Sequence, residues 1–468
     1  MLEKFEYSIQ TVINILKERN DYAISGNFSS ITNSSLDVGN GSLFIPLIGN
    51  RDGHEFIRQA LENGATGFIY EKKNKFFEAL TENEKRQGIE VKNTLTALGT
   101  LAAFHRSRFK PFIICITGSS GKTTTKEILG KCVEYLGLEN IVVTEKNYNN
   151  EIGLPFTLFR INEKTRVCVL ELGMNHRYEI SRMVRMAVPG AVFITNVGPC
   201  HIENLGSLKE IARAKSEIIE GNENIKVFIP EDIVYKNIFI DKAKKYNNKI
   251  IEFSLKDNEF LKVSDKSPRG YELEVFGEKV DWKLPVPRVL ENLAGVIDVL
   301  RTFSFEKGGI ISGLNQFQAS NKRNELIDKG ILIIDDTYNA NPDSMKSSIE
   351  SLLQISENRK AIAILGDMKE LGEFSKRFHK EVGFYAGKKS LSILISFGKD
   401  AYYISNEYKK ESKGEAFHFL DEPKSIEQIT EIVLKNLSKG DVVLIKGSRS
   451  MKMERIVENL KNRLDGAQ

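Results

Sequence analysis

The chain has 468 residues, which at about 150 residues per domain predicts three domains. Its 67 basic and 63 acidic side chains give a formal net charge of +4, and this balance argues against a protein that coats nucleic acid. The N-terminal segment, residues 1–20, carries acidic residues, and its apolar residues Ile9, Val12, Ile13 and Leu16 have the spacing of an amphipathic surface helix. No apolar run reaches the roughly 20 residues that a membrane span needs. We therefore expect a cytoplasmic protein without a signal peptide or membrane segment.

The first domain, residues 1–109, alternates strand-like runs such as SLFIPLIG with helical runs such as EFIRQALENGA. This pattern predicts a small α/β unit. The segment TLTALGTLAAFHRSRF predicts a helix at its end, and Pro111 closes that pattern.

The second domain, residues 110–319, contains the apolar strands FIICITG, RVCVLELG, AVFITNVG and IKVFIP, separated by helical stretches. Such alternation predicts a mostly parallel sheet covered on both faces. A β-rich stretch, KIIEFSLKDNEFLKVSD and YELEVFGEKVDWKLPV, precedes the predicted helix ENLAGVIDVLRTF.

The third domain, residues 320–468, has four more apolar strands, in GILIIDD, AIAILGDM, SILISFG and DVVLIKGS. They predict a second doubly wound sheet of the Rossmann type. The predicted fold class is therefore α/β, with three domains. The four cysteines form no CxxC pair, which predicts free thiols, several of them in buried strands.

A phosphate-binding loop is the strongest local signal. The text TGSSGKTT lies between a predicted strand and a predicted helix. Glycines let the backbone turn its N–H groups toward phosphate oxygens, the lysine reaches the β- and γ-phosphates, and the first threonine binds Mg²⁺. The alternative is a glycine turn with a solvated lysine. The candidate residues for ATP are Gly118, Ser119, Ser120, Gly121, Lys122, Thr123 and Thr124.

Three polar residues follow at places where they could share this site. Glu171 ends the strand VCVLELG, and its oxygens suit Mg²⁺. His201 lies on the loop after FITNVG, which we expect at the same edge of the sheet. Lys215 lies between acids on the helix SLKEIARAKSEIIEG, and its spacing alone predicts a salt-bridged surface lysine.

Several motifs occur together and in order: TGSSGKTTTKE, NYNNEIGLP, ELGMNH, ITNVGPCHIENLGSLKEIARAKSEI, DDTYNANPDSM, ILGDMKELGE and VLIKGSRSMKMERIV. This set resembles the Mur ligases, which join amino acids or peptides onto UDP-N-acetylmuramic acid. The last three motifs are similar to the branch of the family that adds D-alanyl-D-alanine. The resemblance covers nearly the whole chain and implies a UDP-binding domain, an ATP-binding domain and a closing Rossmann-like domain.

The resemblance also implies residue roles. ATP and two Mg²⁺ ions are expected, with Thr123, Glu171, His201 and Lys215 as metal residues and with Lys122, His201 and Lys215 in catalysis. The matching lysine of the family is often carbamylated, which makes N6-carboxylysine the expected form of Lys215. The resemblance assigns the nucleotide to Asn292, Arg323 and Asp336, with Asp335 as the other candidate for the ribose. It assigns the other substrates to Ser34, Asn149, Asn150, Tyr338, Asn339, Asn341, Lys446, Ser448 and Arg449.

Three positions depart from the family pattern. The family's HNxxN text is replaced by Arg288-Val289-Leu290-Glu291-Asn292, so the adenine contacts are expected to be rearranged. The DSR text of the first domain is replaced by Asn33-Ser34-Ser35, which removes an arginine near the expected UDP site. Cys200 adds a thiol before the loop histidine.

The expected reaction joins D-alanyl-D-alanine to UDP-N-acetylmuramoyl-tripeptide through an acyl phosphate, in a monomeric enzyme. Positioning and charge neutralisation are the protein's main contributions. The base that accepts the amine proton stays open, with Asp335 and Asp336 as candidates. One alternative is a sister ligase, of the Mur or the folylpolyglutamate type, that adds a single amino acid. The other is a phosphate-loop ATPase that acts as a switch.

Overall fold

The structure is a computed structural model that describes residues 6–16, 26–138, 140–319, 322–357, 359–389 and 391–466. Within these residues, the chain forms four sheets of three or more strands and a two-stranded ribbon near the N-terminus. The predicted boundary between residues 319 and 320 meets residues 320 and 321, which lie outside the described residues. Residues 1–5 and 17–20 of the predicted N-terminal helix lie outside them too.

The first part of the chain forms a small parallel sheet of order β3-β4-β5-β6, as the α/β prediction requires. A long helix then leads into the next unit and ends before Pro111, as predicted. The elements are β1 Tyr7–Ser8, α1 Ile9–Leu16, β2 Asn27–Phe28, β3 Ser30–Thr32, β4 Ser42–Phe44, a 3-10 turn Gly53–Phe56, α2 Ile57–Glu62, β5 Ala65–Glu71, α3 Lys75–Glu78, α4 Glu82–Lys85, β6 Gly88–Val91 and α5 Thr94–Ser107.

The middle part forms a six-stranded, fully parallel sheet of order β12-β11-β10-β7-β9-β8 and an antiparallel sheet of order β13-β14-β15. Its elements are β7 Phe112–Thr117, α6 Lys122–Glu134, β8 Asn140–Val143, α7 Gly153–Leu158, β9 Thr165–Glu171, α8 Glu179–Ala187, β10 Ala191–Ile194, α9 Ile202–Leu205, α10 Leu208–Ser216, a 3-10 turn Glu217–Ile219, β11 Lys226–Pro230, α11 Lys236–Lys245, β12 Lys249–Phe253, β13 Leu261–Ser267, β14 Gly270–Val275, β15 Glu278–Trp282, α12 Pro287–Thr302 and α13 Lys307–Asn315.

Both faces of this parallel sheet are covered, as the sequence predicted. Along β7, Ile113 and Cys115 enter one apolar core while Ile114 and Ile116 enter another, because successive side chains of a strand point to opposite faces. One prediction needs correction. The segment KIIEF pairs in parallel with β11 at the edge of the large sheet and is not part of the antiparallel insertion.

The last part forms a sheet of order β16-β17-β21-β18-β19-β20, in which only the edge strand β16 runs antiparallel. Two edge strands join the four predicted ones. The elements are β16 Glu325–Asp328, β17 Leu332–Asp336, α14 Pro342–Ser356, β18 Ala361–Gly366, a 3-10 turn Gly372–Phe374, α15 Ser375–Gly387, β19 Ile393–Phe397, α16 Tyr402–Glu411, β20 Glu415–Phe419, α17 Ser425–Asn436, β21 Val442–Lys446, a 3-10 turn Arg449–Met451 and α18 Glu454–Asp465.

The last two parts of the chain meet along α14. At its first turn, Asn341 caps the helix and donates from Nδ2 to the carbonyl of Ser119 at 3.4 Å. Near its last turn, Gln354 accepts from Tyr271 at 2.6 Å and donates to the carbonyl of Ser267 at 3.1 Å. The helix is therefore bonded to the middle domain at both ends, and its N-terminus lies over the phosphate loop.

Candidate active site

A cavity of about 330 Å³ lies where the carboxyl ends of the parallel strands face the start of α14. This is the place where ligands bind in open α/β sheets. Most of the predicted site residues line it: Ser119, Ser120, Gly121, Lys122, Thr123, Thr124, Asn149, Asn150, Glu171, His201, Asn292, Arg323, Asp336, Tyr338, Asn339, Asn341 and Lys446. Ser34, Gly118, Lys215, Ser448 and Arg449 do not belong to its lining.

The phosphate loop connects β7 to α6 and needs its glycines. Gly118 has φ +154° and Gly121 has φ +78°, which L side chains rarely adopt. A Cβ on Gly118 would lie 1.8 Å from Thr195 Oγ1, so the loop passes very close to the end of β10. Lys122 bends back over the loop and donates to the carbonyl of Gly118 at 2.7 Å.

Asn196, directly after β10, holds the phosphate loop from the side. Its Oδ1 accepts the backbone N–H groups of Ser119 at 3.1 Å and of Ser120 at 3.0 Å. Its Nδ2 donates to the Ser120 carbonyl at 3.1 Å. Asn196 was not among the predicted site residues, although it carries the same signal as Glu171: a polar residue near the carboxyl end of an apolar parallel strand.

Glu171 is a buried carboxylate, 2% exposed, in a set of oxygen and amide groups. Its Oε2 accepts from Thr123 Oγ1 at 2.8 Å, and its Oε1 accepts from Asn149 Nδ2 at 2.8 Å. A hydroxyl and a carboxylate beside a phosphate loop are the donors that Mg²⁺ prefers, so these residues fit that ion. Within the described ranges, no three His, Cys, Asp or Glu side chains converge as a metal cluster of their own.

His201 lines the same cavity, and its backbone is left-handed at φ +53°. Its Nδ1 lies 2.5 Å from Oε2 of Glu370, a residue of the last domain. This contact with the imidazole lowers the pKa of the Glu370 carboxyl below its usual value. Glu370 was not among the predicted site residues, because nothing local to ILGDMKELGE indicates contact with a loop 169 positions earlier, the difference between 370 and 201.

Lys215 is buried, at 1% exposure, so the surface salt bridge that its spacing predicted was wrong. The buried face of α10 carries it inward beside Ile211 and Ala212. Burial lowers the pKa of Lys215 to about 8, and the nearby Cys200 thiol partly opposes that shift. All four cysteines are free and buried, as predicted: Cys115, Cys132, Cys168 and Cys200.

The last domain contributes a buried ion pair and a stacked arginine to the cavity. Lys446 Nζ lies 2.5 Å from Asp336 Oδ2, which also accepts from Ser348 at 2.6 Å. The guanidinium of Arg323 lies 4.0 Å from the ring centre of Tyr338, a cation–π contact. Lys446 is therefore engaged inside its own domain.

Three further predicted residues, Asp335, Ser448 and Arg449, contact groups of the last domain itself. Asp335 turns away to accept from the N–H of Thr337 at 3.1 Å and from its hydroxyl at 2.6 Å, and burial raises the pKa of Asp335. Ser448 Oγ accepts from the N–H of Lys369 at 2.9 Å. Arg449 is largely exposed and pairs with Glu454 at 2.9 Å.

Comparison with known proteins gives the same order of domains. Models of the Mur ligase catalytic domain, the Mur ligase middle domain and the Mur ligase glutamate ligase domain match residues 27–106, 116–299 and 322–449. The chain is 34% identical, over 89% of its length and 90% of the relative, to UDP-N-acetylmuramoyl-tripeptide–D-alanyl-D-alanine ligase of Bacillus subtilis. The chain belongs to the Mur ligase family. The predicted family and the three-domain α/β fold are thereby confirmed.

Two solved Mur ligases have the same architecture. MurF from Acinetobacter baumannii superposes with a TM-score of 0.86 at 26% identity and covers 98% of this chain and 100% of its own. MurF ligase from Thermotoga maritima, solved in complex with ADP, gives a TM-score of 0.80 at 29% identity and covers 94% and 98%. In the part of the chain that the structure describes, no helix is long and apolar enough to cross a membrane.

The departures from the family pattern take definite places in this Mur ligase. Arg288 lines the cavity at the start of α12, and its Nη2 lies 4.0 Å from Asp343 Oδ2 at the start of α14. Asn292 also lines the cavity, close to Gly121. Ser34 lies outside the cavity, on the turn after β3, where its N–H donates to Thr32 at 3.1 Å.

Proposed function

We propose that this Mur ligase joins D-alanyl-D-alanine to UDP-N-acetylmuramoyl-tripeptide with the conversion of ATP to ADP and phosphate. The carrying observation is the cluster of Glu171, Thr123 and Asn149 beside the phosphate loop, in a cavity that residues of the last domain also line. A two-step ligase needs a phosphate site and a second domain that faces it. Relatives with this activity in their names match about nine-tenths of the chain.

The reaction proceeds in two displacements. A carboxylate oxygen of the tripeptide attacks the γ-phosphorus of ATP. The bond from that phosphorus to the bridging oxygen breaks, so that ADP leaves and an acyl phosphate is formed. The neutral amine of D-alanyl-D-alanine then attacks the acyl carbon, phosphate leaves with the bonding electrons, and the amine proton passes to a base. Both steps bring negative groups together, so positioning and positive charge lower the barrier.

The residues around the phosphate loop suit this task. Lys122 belongs to the loop itself, and its present acceptor, the Gly118 carbonyl, is one that a phosphate oxygen can replace. We assign the phosphates to the loop residues Gly118, Ser119, Ser120, Gly121, Lys122, Thr123 and Thr124. Thr123, Glu171 and His201 would hold Mg²⁺, which supplies charge neutralisation when bound.

Lys215 is the residue that we expect to carry an N6-carboxylate beside a second Mg²⁺. A neutral amine adds CO₂ to give a carbamate and releases one proton. Burial lowers the pKa of Lys215 to about 8, so a larger share of its amine is neutral at pH 7 than in an ordinary lysine. Burial therefore supports the modification. Lys122, His201 and Lys215 remain the proposed catalytic residues.

Asn292, Arg323 and Asp336 are assigned to the nucleotide. Because Lys446 and Ser348 both bind Oδ2 of Asp336, the oxygen that we assign to the ribose is Oδ1. We place UDP-N-acetylmuramoyl-tripeptide and D-alanyl-D-alanine near Ser34, Asn149, Asn150, Tyr338, Asn339, Asn341, Lys446, Ser448 and Arg449. We further propose domains at 1–109, 110–319 and 320–468, and a monomer that acts in the cytoplasm.

Phosphate release from Mg²⁺-ATP tests this function. We expect release to require both UDP-N-acetylmuramoyl-tripeptide and D-alanyl-D-alanine, with a UDP-muramoyl-pentapeptide as the product by mass spectrometry. Replacing the dipeptide by single amino acids distinguishes a sister ligase, which would accept one of them. Release that ignores both substrates would contradict the proposal and favour an ATP-driven switch.

A further inference from the structure

We propose that Glu370 is a positioning residue that fixes the orientation of the His201 imidazole, so that the metal site of the middle domain is completed by the last domain. The inference rests on the proposed function, because it assigns His201 to the metal of that reaction. The residue acts through His201 and does not itself touch substrate. Its effect therefore concerns metal affinity in the first place.

His201 and Glu370 lie on loops of two different domains, and these loops contact each other. His201 follows β10 of the middle sheet, and Glu370 follows β18 of the last sheet. Both strands run parallel to their neighbours, so each loop lies at the carboxyl edge of its own sheet. The carboxylate Oε2 of Glu370 lies 2.5 Å from Nδ1 of His201, an ion-pair distance, while the angles at Nδ1 are not those of a hydrogen bond.

Backbone contacts hold the two loops together beside this pair. The N–H of Glu203 donates to the Glu370 carbonyl at 3.3 Å. A Cβ on Gly372 would lie 3.1 Å from Cγ of Glu203, so the two loops are closely packed. Glu370 has φ +63° and His201 has φ +53°, which are conformations that L residues seldom adopt.

The chemistry of imidazole explains what the contact does. A carboxylate at Nδ1 favours the tautomer with the proton on Nδ1, which leaves the lone pair on Nε2 for a metal ion. Histidines that ligate metals are usually oriented in this way by a carboxylate or a carbonyl. Here the carboxylate belongs to the other domain, so the contact exists only while the two domains lie together.

An ordinary surface ion pair is the alternative, since 53% of the Glu370 side chain is exposed and exposed pairs contribute little. The two explanations differ in one measurable respect. A surface pair contributes to domain contact whether or not His201 has a metal to bind. A positioning residue changes the affinity for metal, and it does so only when His201 is present.

The test is a titration of the full chain with Mn²⁺, followed by electron paramagnetic resonance, in the presence of a non-hydrolysable ATP analogue. The variants are Glu370→Ala, Glu370→Gln, His201→Asn and the double variant Glu370→Ala/His201→Asn. The control is Glu373→Ala, which removes an exposed carboxylate three residues further along the same loop. Circular dichroism and thermal unfolding establish that each variant is folded.

We expect Glu370→Ala to weaken Mn²⁺ binding by about 10- to 100-fold, which is the usual effect of losing a group that orients a ligand. Glu370→Gln should fall between Ala and the wild type, and Glu373→Ala should match the wild type. In the His201→Asn background, Glu370→Ala should have no further effect. The positioning role is wrong if Glu370→Ala binds Mn²⁺ as the wild type does, if the two changes act independently, or if the wild type binds no Mn²⁺.

Turnover gives a second measurement. Glu370→Ala should raise the Mg²⁺ concentration that gives half-maximal kcat, with kcat partly restored at saturating Mg²⁺, while the KM for D-alanyl-D-alanine stays unchanged. A raised KM for the dipeptide with an unchanged Mg²⁺ requirement would refute the positioning role. The Mn²⁺ titration contains neither peptide substrate. A wild-type enzyme that binds Mn²⁺ but shows no dipeptide-dependent phosphate release would therefore refute the proposed function alone.

Discussion

Replacing Lys446 by methionine should destabilise the last domain through the charge that it leaves behind. Lys446 and Asp336 are direct partners on the adjacent parallel strands β21 and β17, with side chains only 3% and 7% exposed. Without the ammonium, the Asp336 carboxylate keeps the hydroxyl of Ser348 as its partner in that core. Removing one member of a buried ion pair typically costs about 3–5 kcal/mol, because the other charge stays desolvated.

Hydrogen exchange followed by mass spectrometry measures this change locally, which matters because a three-domain protein does not unfold in one step. At about 1.4 kcal/mol per tenfold change, amides of β17 and β21 should exchange roughly two to four orders of magnitude faster in Lys446→Met. Amides of β7 in the middle domain serve as the internal control. The double variant Asp336→Asn/Lys446→Met should exchange more slowly than the single one, because it buries no unpaired charge.

Exchange of the β21 amides within about threefold of the wild type would refute this reasoning, since that corresponds to only about 0.6 kcal/mol. A double variant that exchanges as fast as Lys446→Met would also contradict it, because the cost would then come from lost packing. Ser348→Ala gives the scale for a single hydrogen bond, about 1 kcal/mol.

Three further outcomes are expected. Thr123→Ala removes the hydroxyl that donates to Glu171 and should raise the Mg²⁺ requirement of phosphate release, whereas Thr123→Ser should keep the wild-type requirement. Gly118→Ala places a methyl group 1.8 Å from Thr195 Oγ1 at φ +154°, so the KM for ATP should rise at least tenfold in steady-state kinetics, and an unchanged KM would refute the close approach. Burial lowers the pKa of His379, so below about pH 6.5 the unfolded chain binds a proton at this imidazole that the folded chain does not bind. The stability of the last domain should therefore fall on acidification. The melting temperature of its transition should differ less between pH 7.5 and pH 5.5 in His379→Gln than in the wild type.

The sequence predicted which residues lie together where each of them lies close to its own strand. The phosphate loop, Glu171 and His201 each follow an apolar parallel strand, and parallel strands bring their carboxyl ends to one edge. The fold, the family and the ligase function could be recognised because several such motifs occur in one order along the chain. The individual roles of the site residues stay predictions.

Contacts between distant strands or domains could not be predicted. The Asp336–Lys446 pair depends on β21 entering the sheet between β17 and β18, a crossover that no local pattern reveals. The contact of Glu370 with His201 depends on how two domains lie together. The edge strands β16 and β20 were missed because their side chains are only partly buried, which weakens the apolar signal.

The bonding of α14 at both ends has a consequence for building hybrid ligases. Gln354 binds Tyr271 and the Ser267 carbonyl of the small antiparallel sheet, which precedes the last domain in the chain but supports its helix. A chimera that exchanges residues 320–468 alone would separate the helix from that support. Exchanging residues 261–282 together with the last domain would keep both hydrogen bonds within sequence from one parent, and such chimeras should retain the native seating of α14 over the phosphate loop.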